Sequence, residues 1–365
     1  MRSARPKPIH LLCGRSMASY VLDTLAEIGV RQAVVVTGAD SARVSKRLLA
    51  DSPAFPVRFA DHKPDAHGAQ VALAGVNEFD DFNDDEDVII VPDDVPLLRA
   101  PMLEALVSHH RESGAACTVL SSMVELADGH HREFVGQIMR NRHSKIIGIE
   151  SGRSSRTADS GVPGAMSAAA EVEQGAVMVE VATSVYCVRR GLLAPALRRS
   201  VSETILGAAS LHDIVAVLAE TGNRCESVVV DPGQDLTPVD NRLQLAEAEA
   251  ELRRRINHHW LSMGVTMVDP EHTYIDATVK LGTDVTIFPG AILQGATVIG
   301  NRCEIGPHVQ LDRCVVGDNT KIDTTTAKSA VIGSNCAVGP FAVLEPETRL
   351  EDNSVTGPFF SSQVH

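Results

Sequence analysis

A six-residue spacing of large aliphatic side chains runs through the last quarter of the chain and limits its fold more than any other feature. The spacing holds through one run and, after a break, through a second: Ile275, Leu281, Ile287, Leu293, Ile299, Ile305 and Leu311, then Ile332, Val338, Leu344 and Leu350. Small or β-branched residues stand two positions before these residues and before Gly317: Val279, Val285, Ala291, Thr297, Cys303, Val309, Val315, Ala330, Cys336, Ala342 and Thr348. A period of six is typical of stacked hexapeptide repeats, which bury the aliphatic residues in one column. An alternating β-sandwich, the competing interpretation, predicts a period of two.

Three faces per turn would give these repeats the shape of a triangular prism. Such a prism resembles the left-handed parallel β-helix of the hexapeptide acyltransferases. We expect about four coils, and short solenoids need a cap or neighbours to cover their edges. The resemblance therefore implies a homotrimer.

The composition limits the classes of partner and compartment. The chain has 365 residues, with 33 basic and 47 acidic side chains and a formal charge of −14, which argues against a non-specific nucleic-acid binder. Seven cysteines without a Cys-x-x-Cys pair predict buried, reduced thiols: Cys13, Cys117, Cys187, Cys225, Cys303, Cys314 and Cys336. No apolar run reaches the length of a membrane span or a signal-peptide core. We expect a cytoplasmic protein with neither nucleic acid nor membrane among its partners.

Three pairs of adjacent histidines need an interpretation. Each pair lies beside charged residues in a predicted helix or turn: His109 with His110, His130 with His131, and His258 with His259. No third ligand has matching spacing, so solvated surface positions are favoured over metal ligation.

The first two-thirds of the chain alternates β-branched runs with helical stripes. Strands are predicted at 32–37, 57–60, 88–91, 117–124, 177–188 and 225–230, a hairpin at 134–139 with 145–149, and helices at 16–28, 42–49, 66–75, 102–113 and 211–220. This order predicts a doubly wound, Rossmann-like α/β domain with a mostly parallel sheet. Residues 151–173 predict a loop. We expect this domain over 1–237, a linker helix packed on the sheet within 238–264, and the truncated β-helix over 265–365.

The strongest candidate for chemistry follows the buried strand 88–91. Ligands of open α/β sheets bind beyond the carboxyl ends of the strands. Pro92, Asp93 and Asp94 come next in the chain, and a carboxylate there is placed to hold Mg²⁺ over the phosphates of a nucleotide. Asp94 is the candidate ligand. The alternative is that both aspartates only form a turn before Pro96.

Five segments resemble the bifunctional bacterial enzymes that uridylylate N-acetylglucosamine 1-phosphate and acetylate glucosamine 1-phosphate: residues 1–17, 92–98, 241–249, 264–270 and 274–276. The similarity covers the whole chain in order, from a nucleotidyltransferase domain through a linker helix to hexapeptide repeats. It implies a sugar-1-phosphate nucleotidyltransferase of peptidoglycan precursor synthesis. The implied substrates are UTP and N-acetylglucosamine 1-phosphate, the products are UDP-N-acetylglucosamine and pyrophosphate, and the cofactor is Mg²⁺.

The resemblance also implies roles for single residues. Lys7 would contact phosphate and act in catalysis, Glu150 would contact substrate, and Asp94 and Asp240 would bind the magnesium ion. A lysine ammonium suits phosphate because it is a compact charge on a flexible stem. The family reaction is attack of the sugar phosphate on the α-phosphorus of UTP, with Mg²⁺ neutralising the developing charge.

Several positions of the family's nucleotide site carry other residues here. In the family, a strand and a glycine-rich loop that cradles the triphosphate precede the position of Met1. The uridine and sugar motif Gly-Thr-Gly falls on residues 65–67, which are Asp, Ala and His. The sugar-binding asparagine falls on Ala182, with Ser184 in place of a glycine. Each lost hydrogen bond to substrate is worth about 1 kcal/mol or more.

The acetyltransferase positions depart further. A phosphate-binding arginine of the family falls on Glu345 and a lysine falls on Gln363. The coils with the family's catalytic histidine and acetyl-CoA site would lie beyond His365. We expect impaired uridylyl transfer and no acetyl transfer.

Two interpretations remain open. In one, the chain is a uridylyltransferase whose true start lies upstream of Met1. In the other, it is a non-catalytic paralogue, a pseudoenzyme that binds a sugar nucleotide or an assembly partner. Under either one, the sequence as it stands predicts a gap in the sheet beside residues 34–36, because the family's central first strand is not among residues 1–365. Backbone groups left unpaired there would cost about 1–3 kcal/mol each if buried.

Overall fold

The computed structural model describes residues 1, 3–38, 40–79, 86–126, 136–150, 177–203, 209–231 and 235–362. They form two compact units. The sheet unit comprises Ala4–Ile9 and Ala18–Pro238, and the solenoid unit comprises Met1–Ser3, His10–Met17 and Val239–His365. Within the described ranges, no helix is both long and apolar enough to cross a membrane. The predicted loop at 151–173 lies outside the described residues.

The helices agree with the predicted apolar stripes to within a few residues. They are α1 (Met17–Glu27), α2 (Ser41–Ala50), α3 (Ala69–Asn77), α4 (Ala100–Ser113), α5 (Arg190–Glu203), α6 (Asp213–Glu220) and α7 (Arg242–Ser262), with a short 3₁₀ helix at Lys7–Ile9. Only α5 has no counterpart in the sequence prediction. Pro195 lies inside it, and an internal proline normally argues against a helix.

Six strands of the sheet unit form one sheet. The first ten strands of the chain are β1 (Leu11–Leu12), β2 (Arg15–Ser16), β3 (Ala33–Thr37), β4 (Val57–Asp61), β5 (Asp87–Ile90), β6 (Cys117–Leu126), β7 (Gln137–Arg140), β8 (Ile146–Glu150), β9 (Val177–Arg189) and β10 (Cys225–Val229). The sheet order is β10-β6-β9-β7-β8, and β5 also pairs with β9. β6 and β10 are parallel, but the long β9 is antiparallel to β5, β6 and β7. The described pairings of this sheet are therefore mostly antiparallel, which corrects the prediction of a mostly parallel sheet. The predicted hairpin is β7 with β8.

Helices cover both faces of this sheet, as a doubly wound α/β fold requires. Leu120 of β6 packs in one apolar cluster with Leu106 of α4. Its neighbour Val119 packs in another cluster with Leu197 of α5 and Ile214 of α6. Successive side chains of a strand point to opposite faces, so the two clusters are the two layers of the core.

The strands β3 and β4 stand apart from the six-stranded sheet. They pair in parallel only with each other among the described strands. Within the described residues, the predicted gap beside residues 34–36 is therefore confirmed: the valines of β3 and the residues of β5 line a common cavity of 1430 Å³ that also has charged side chains in its lining.

Three parallel faces of five strands each make the solenoid. Its strands are β11 (Thr266–Met267), β12 (Tyr274–Ile275), β13 (Lys280–Leu281), β14 (Thr286–Ile287), β15 (Ile292–Gln294), β16 (Val298–Ile299), β17 (Glu304–Ile305), β18 (Gln310–Asp312), β19 (Val315–Val316), β20 (Lys321–Ile322), β21 (Thr326–Lys328), β22 (Val331–Ile332), β23 (Ala337–Val338), β24 (Val343–Leu344) and β25 (Arg349–Leu350). Every third strand along the chain lies on the same face. This is the prism predicted for a left-handed β-helix, with five strands on each face where we expected about four coils.

The break in the six-residue spacing does not interrupt the solenoid. The buried positions continue through Val316, Ile322 and Ala327 to Ile332, because three of the four steps from Leu311 to Ile332 shorten from six residues to five. This shift corrects one prediction: Val315 lies 46% exposed, and Cys314 takes the buried position instead.

The long helix α7 begins with a complete capping box. The side chain of Asn241 accepts a hydrogen bond from the backbone N–H of Gln244, and the Gln244 side chain accepts one from the backbone of Asn241. Two apolar residues near its C-terminal end, Ile256 and Trp260, pack against the solenoid core. We expected the sheet at that position, so this contact corrects the prediction.

The cysteine prediction is confirmed and the histidine prediction holds in part. All seven cysteines are buried free thiols. His258 and His259 are exposed as predicted, and residues 130–131 lie outside the described ranges. His110 contradicts the prediction because it is only 2% exposed.

Candidate active site

The carboxyl end of β5 carries the predicted pair of charged residues. Asp94 follows β5 by four residues, and Lys7 lies on the 3₁₀ helix of the same unit. The Lys7 Nζ donates a hydrogen bond to Asp94 Oδ2 over 2.6 Å, and the two side chains are 31% and 18% exposed. A charge-assisted contact of this length, partly shielded from water, fixes a cation beside a carboxylate. Sequence reasoning selected both residues, and the structure brings them together.

Asp93 is a further acidic group of this site. Burial raises its pKa to about 6, the negative charge of Asp94 acts in the same direction, and Lys7 opposes both. Sequence reasoning treated Asp93 only as a turn residue. Nothing in the sequence distinguishes the two adjacent aspartates, which are both half-buried in the structure.

A groove extends from this site along two strand edges. Val34, Val35 and Val36 of β3 line one side, and residues from Asp87 to Asp93 line the other. An ion pair of Arg31 with Glu86, 2.8 Å long, joins the residues just before β3 and β5. The amino ends of the two strands are therefore adjacent.

The groove exposes backbone groups on both of its edges. The N–H of Ala33 donates to Pro56 and the carbonyl of Thr37 accepts from His62, so this set of alternate residues faces β4. In a parallel strand pair, the backbone N–H and carbonyl groups of successive residues point to opposite sides of the strand. Those of Val34 and Val36 therefore point toward the groove. On β5, the N–H of Arg190 donates to Glu86, so the same alternation turns Ile89 and Val91 toward the groove.

The other two predicted site residues lie elsewhere. Glu150 is the exposed last residue of β8, opposite Gln137, and its contact with substrate stays a prediction. Asp240 belongs to the solenoid unit, where its carbonyl accepts a hydrogen bond from the Met1 amine and its N–H donates to Gln244. Its role as a magnesium ligand also stays a prediction.

The departures from the family motifs occupy well-defined environments. Ala182 is 2% exposed inside an apolar cluster, so it offers no polar group to a sugar. Ser184 has a φ of +62° and lines the groove. A left-handed backbone favours glycine, which explains why the family has glycine where this chain has Ser184. Asp65 and His67 are exposed ahead of α3.

Comparison with known proteins supports the resemblance. The MobA-like NTP transferase domain matches residues 1–257. The chain is 33% identical to the bifunctional protein GlmU of Streptomyces avermitilis, over 100% of this chain and 70% of the relative. It is 33% identical to GlmU of Mycobacterium bovis, over 98% of this chain and 68% of the relative. It is 29% identical to GlmU of a Geobacillus strain, over 98% of this chain and 72% of the relative. The chain therefore belongs to the MobA-like NTP transferase family, as a homologue of the bifunctional GlmU proteins.

Proposed function

We propose that the sheet unit binds UTP and N-acetylglucosamine 1-phosphate at Lys7 and Asp94 and transfers the uridylyl group slowly. The observation that carries the proposal is the 2.6 Å contact of the two side chains at the carboxyl end of β5. This is the edge of an open α/β sheet at which ligands bind. Family membership makes sugar-1-phosphate nucleotidyl transfer the reaction class to test.

The donor set at this edge fits a magnesium ion. Mg²⁺ prefers carboxylate oxygens and phosphate oxygens, and Asp93 and Asp94 are adjacent carboxylates whose mutual repulsion helps to raise the pKa of Asp93. Asp94 would hold the ion, with Asp93 beside it. When bound, the ion supplies charge neutralisation on the phosphates. The Lys7 ammonium would bind a phosphate oxygen directly, and this contact does not depend on the metal ion.

The proposed reaction is slow because the groups that hold the sugar and the base are missing. Ala182 cannot donate or accept a side-chain hydrogen bond, and Asp65 places a carboxylate where the family motif has glycine. Two or three missing hydrogen bonds lower transition-state stabilisation by several kcal/mol, and each 1.36 kcal/mol is a factor of ten in rate.

Nucleotide binding and pyrophosphate release test the proposal separately. We expect calorimetry to show weak, Mg²⁺-dependent binding of UTP, and a coupled assay to show pyrophosphate release far below that of a GlmU enzyme. Asp94→Ala and Lys7→Ala should abolish both signals. Glu86→Gln is the matched control because it breaks an ion pair of similar length at the amino end of the same groove. UTP binding that Asp94→Ala and Lys7→Ala leave intact would contradict the site.

A non-catalytic role is the second candidate, and the open groove favours it. A groove with apolar walls and two exposed strand edges is suited to contact with another polypeptide. If the protein binds UTP without any release of pyrophosphate, this role replaces slow catalysis.

We further propose that the solenoid forms a homotrimer. Val298, Val315 and Val331 oppose one another in register on one face of the prism and are 38%, 46% and 39% exposed. Such a stripe of apolar residues is suited to a protein interface. Val315→Glu should shift the mass measured by light scattering toward the monomer, whereas Thr326→Glu, an exposed position on another face, should not. A monomeric wild-type protein would contradict the proposal.

Acetyl transfer is not part of the proposed function. Glu345 is exposed on the solenoid and offers a negative charge at the position where the family has an arginine. Gln363 lies outside the described residues. A cytoplasmic location stays a prediction.

A further inference from the structure

Asp87, His110 and Cys187 bring an oxygen, a nitrogen and a sulfur ligand atom together in the sheet unit. All three atoms lie within 4.8 Å of one another. The cluster is separate from the nucleotide site. Asp87 begins β5 and Asp94 follows the other end of the strand, so the cluster and the nucleotide site lie at opposite ends of β5.

The pairing of β5 with β9 places two of the ligands on one face. Asp87 opposes Arg189, and Ile89 opposes Cys187. Asp87 and Cys187 are therefore diagonal neighbours, which share a face of an antiparallel pair.

Helix α4 supplies the third ligand. Leu103, Leu106 and His110 recur at helical spacing and are all buried. This spacing on an apolar stripe is the signal that could have distinguished His110 from the exposed histidines in the sequence.

His110 is oriented as a metal ligand would be. Its Nδ1 lies 2.8 Å from Thr118 Oγ1, and Thr118 opposes Cys187 across β6 and β9. If the Nδ1–H donates to the hydroxyl, the lone pair of Nε2 is free to bind a metal, as in many histidine sites. The side chain is 2% exposed.

The Nε2 of His110 has an unusual environment. It lies 3.3 Å from Asp87 Oδ1, close enough for an ion pair, yet it has no hydrogen bond of good geometry within the described part of the chain. A buried imidazole nitrogen normally has a hydrogen-bond partner. A cation between the nitrogen and the carboxylate would satisfy both.

Of the two carboxylate oxygens of Asp87, one contacts Arg111 and the other is placed to bind a cation. Arg111 Nε donates to Asp87 Oδ2 over 3.1 Å, so Oδ1 is the oxygen that faces His110. Burial lowers the pKa of His110, although the nearby Asp87 opposes this effect. Burial raises the pKa of the Cys187 thiol to about 12, and a bound metal ion would displace that proton.

We propose that Asp87, His110 and Cys187 bind a divalent cation of the zinc class. Mixed nitrogen, oxygen and sulfur ligands select zinc over magnesium or calcium, and water takes the fourth tetrahedral position. On binding, the sulfur–metal bond forms, and the thiol proton passes to solvent. The ion joins β5, β9 and α4 at the amino end of the groove.

Cobalt(II) tests this site directly because it takes the same ligands and absorbs light. We expect the purified full chain to bind one equivalent of Co²⁺ with a thiolate charge-transfer band in the near ultraviolet, and Zn²⁺ to abolish the band by competition. Cys187→Ser should remove the band, and His110→Asn and Asp87→Asn should weaken binding. Thr118→Val should lower the affinity about 10–100-fold, as expected for a residue that orients a ligand.

Cys117→Ser is the matched control, since Cys117 is equally buried in the same sheet but lies outside the cluster. Circular dichroism establishes which variants fold. If Cys187→Ser does not fold, the band of the wild type and the weaker Co²⁺ binding of Asp87→Asn decide the question. A wild-type protein without the band, or a band that persists in folded Cys187→Ser, would overturn the proposal.

Discussion

The two units of this protein solve the problem of strand pairing in different ways. In the solenoid, each interior strand has a parallel neighbour in the coil before it and in the coil after it, as β17 has β14 and β20. Among the described strands of the sheet unit, β3 and β5 each have one partner, and their other edges face a common groove. In the solenoid, the stacked coils provide hydrogen-bond partners for the backbone groups of each interior strand. The sheet unit instead leaves two strand edges open to a strand that the described residues do not supply.

This difference shows what kind of sequence information determines each unit. A solenoid strand pairs with the strand about 18 residues away, such as Ile287 with Ile305, so a local repeat determines the pairing. A doubly wound sheet depends on strands far apart in sequence, such as Cys225 of β10 beside Cys117 of β6. One strand that the described residues do not supply therefore leaves the sheet open, whereas three shortened steps leave the solenoid closed.

Amide hydrogen exchange should show the largest contrast between the units. The N–H groups of Glu304 and Gly306 donate to the next coil over 3.0 and 2.9 Å, while those of Val34 and Val36 point into the groove. We expect exchange at least about a thousandfold slower for the solenoid pair, which corresponds to about 4 kcal/mol of additional opening free energy.

Ala33 is the internal control for this measurement. It lies on the same strand as Val34 and Val36, but its N–H faces β4 and donates to the carbonyl of Pro56. It should exchange more slowly than Val34 and Val36. Equal protection of Val34, Val36 and Glu304 would mean that a strand fills the groove in solution, and the contrast between the units would disappear.

Acid should destabilise the sheet unit selectively through His212. Burial lowers the pKa of this side chain to about 4 from a usual 6.5, and its Nδ1 shares a hydrogen bond with the buried Tyr186 hydroxyl. The unfolded chain binds the proton first, so the stability that depends on neutral His212 is present above pH 6.5 and is lost as the pH falls toward 4. The full effect is about 3 kcal/mol.

Urea unfolding at pH 7 and pH 4.5 measures this effect. Fluorescence of the single Trp260 reports on the solenoid unit. Tyrosine fluorescence reports on the sheet unit when both proteins carry Tyr274→Phe, because Tyr20 and Tyr186 both lie in that unit. Burial raises the pKa of Asp213, which favours the fold at low pH, so comparison with His212→Gln is needed to isolate the histidine. A pH dependence that is unchanged in His212→Gln would show that other groups cause it.

The sequence predicts the two units unequally for physical reasons. The six-residue spacing alone predicts which aliphatic residues fill the core of the solenoid. The only misplaced position, Val315, lies where a turn is one residue shorter. Lys7 and Asp94 are found because a strand tip and a family motif coincide. The cluster of Asp87, His110 and Cys187 is not found, since the packing of α4 on the strands β5 and β9 brings these residues together. A local pattern can indicate that one side chain is buried, but it does not show which distant residues meet.

The smallest expected effect tests whether the groove is open. Ala72 of α3 is half-buried and lines the groove. If the groove is unoccupied, Ala72→Leu fills part of it and should stabilise the sheet unit by about 0.5–2 kcal/mol. If a strand of another polypeptide occupies it, the larger side chain overpacks the site and should cost about 1–3 kcal/mol. Gly75→Ala on the same helix is the control: its new Cβ would lie 2.7 Å from Val36 Cγ2, so it should destabilise the unit in either case. The sign of the change for Ala72→Leu, measured by urea unfolding, therefore decides whether the two units differ in solution as they do in the structure.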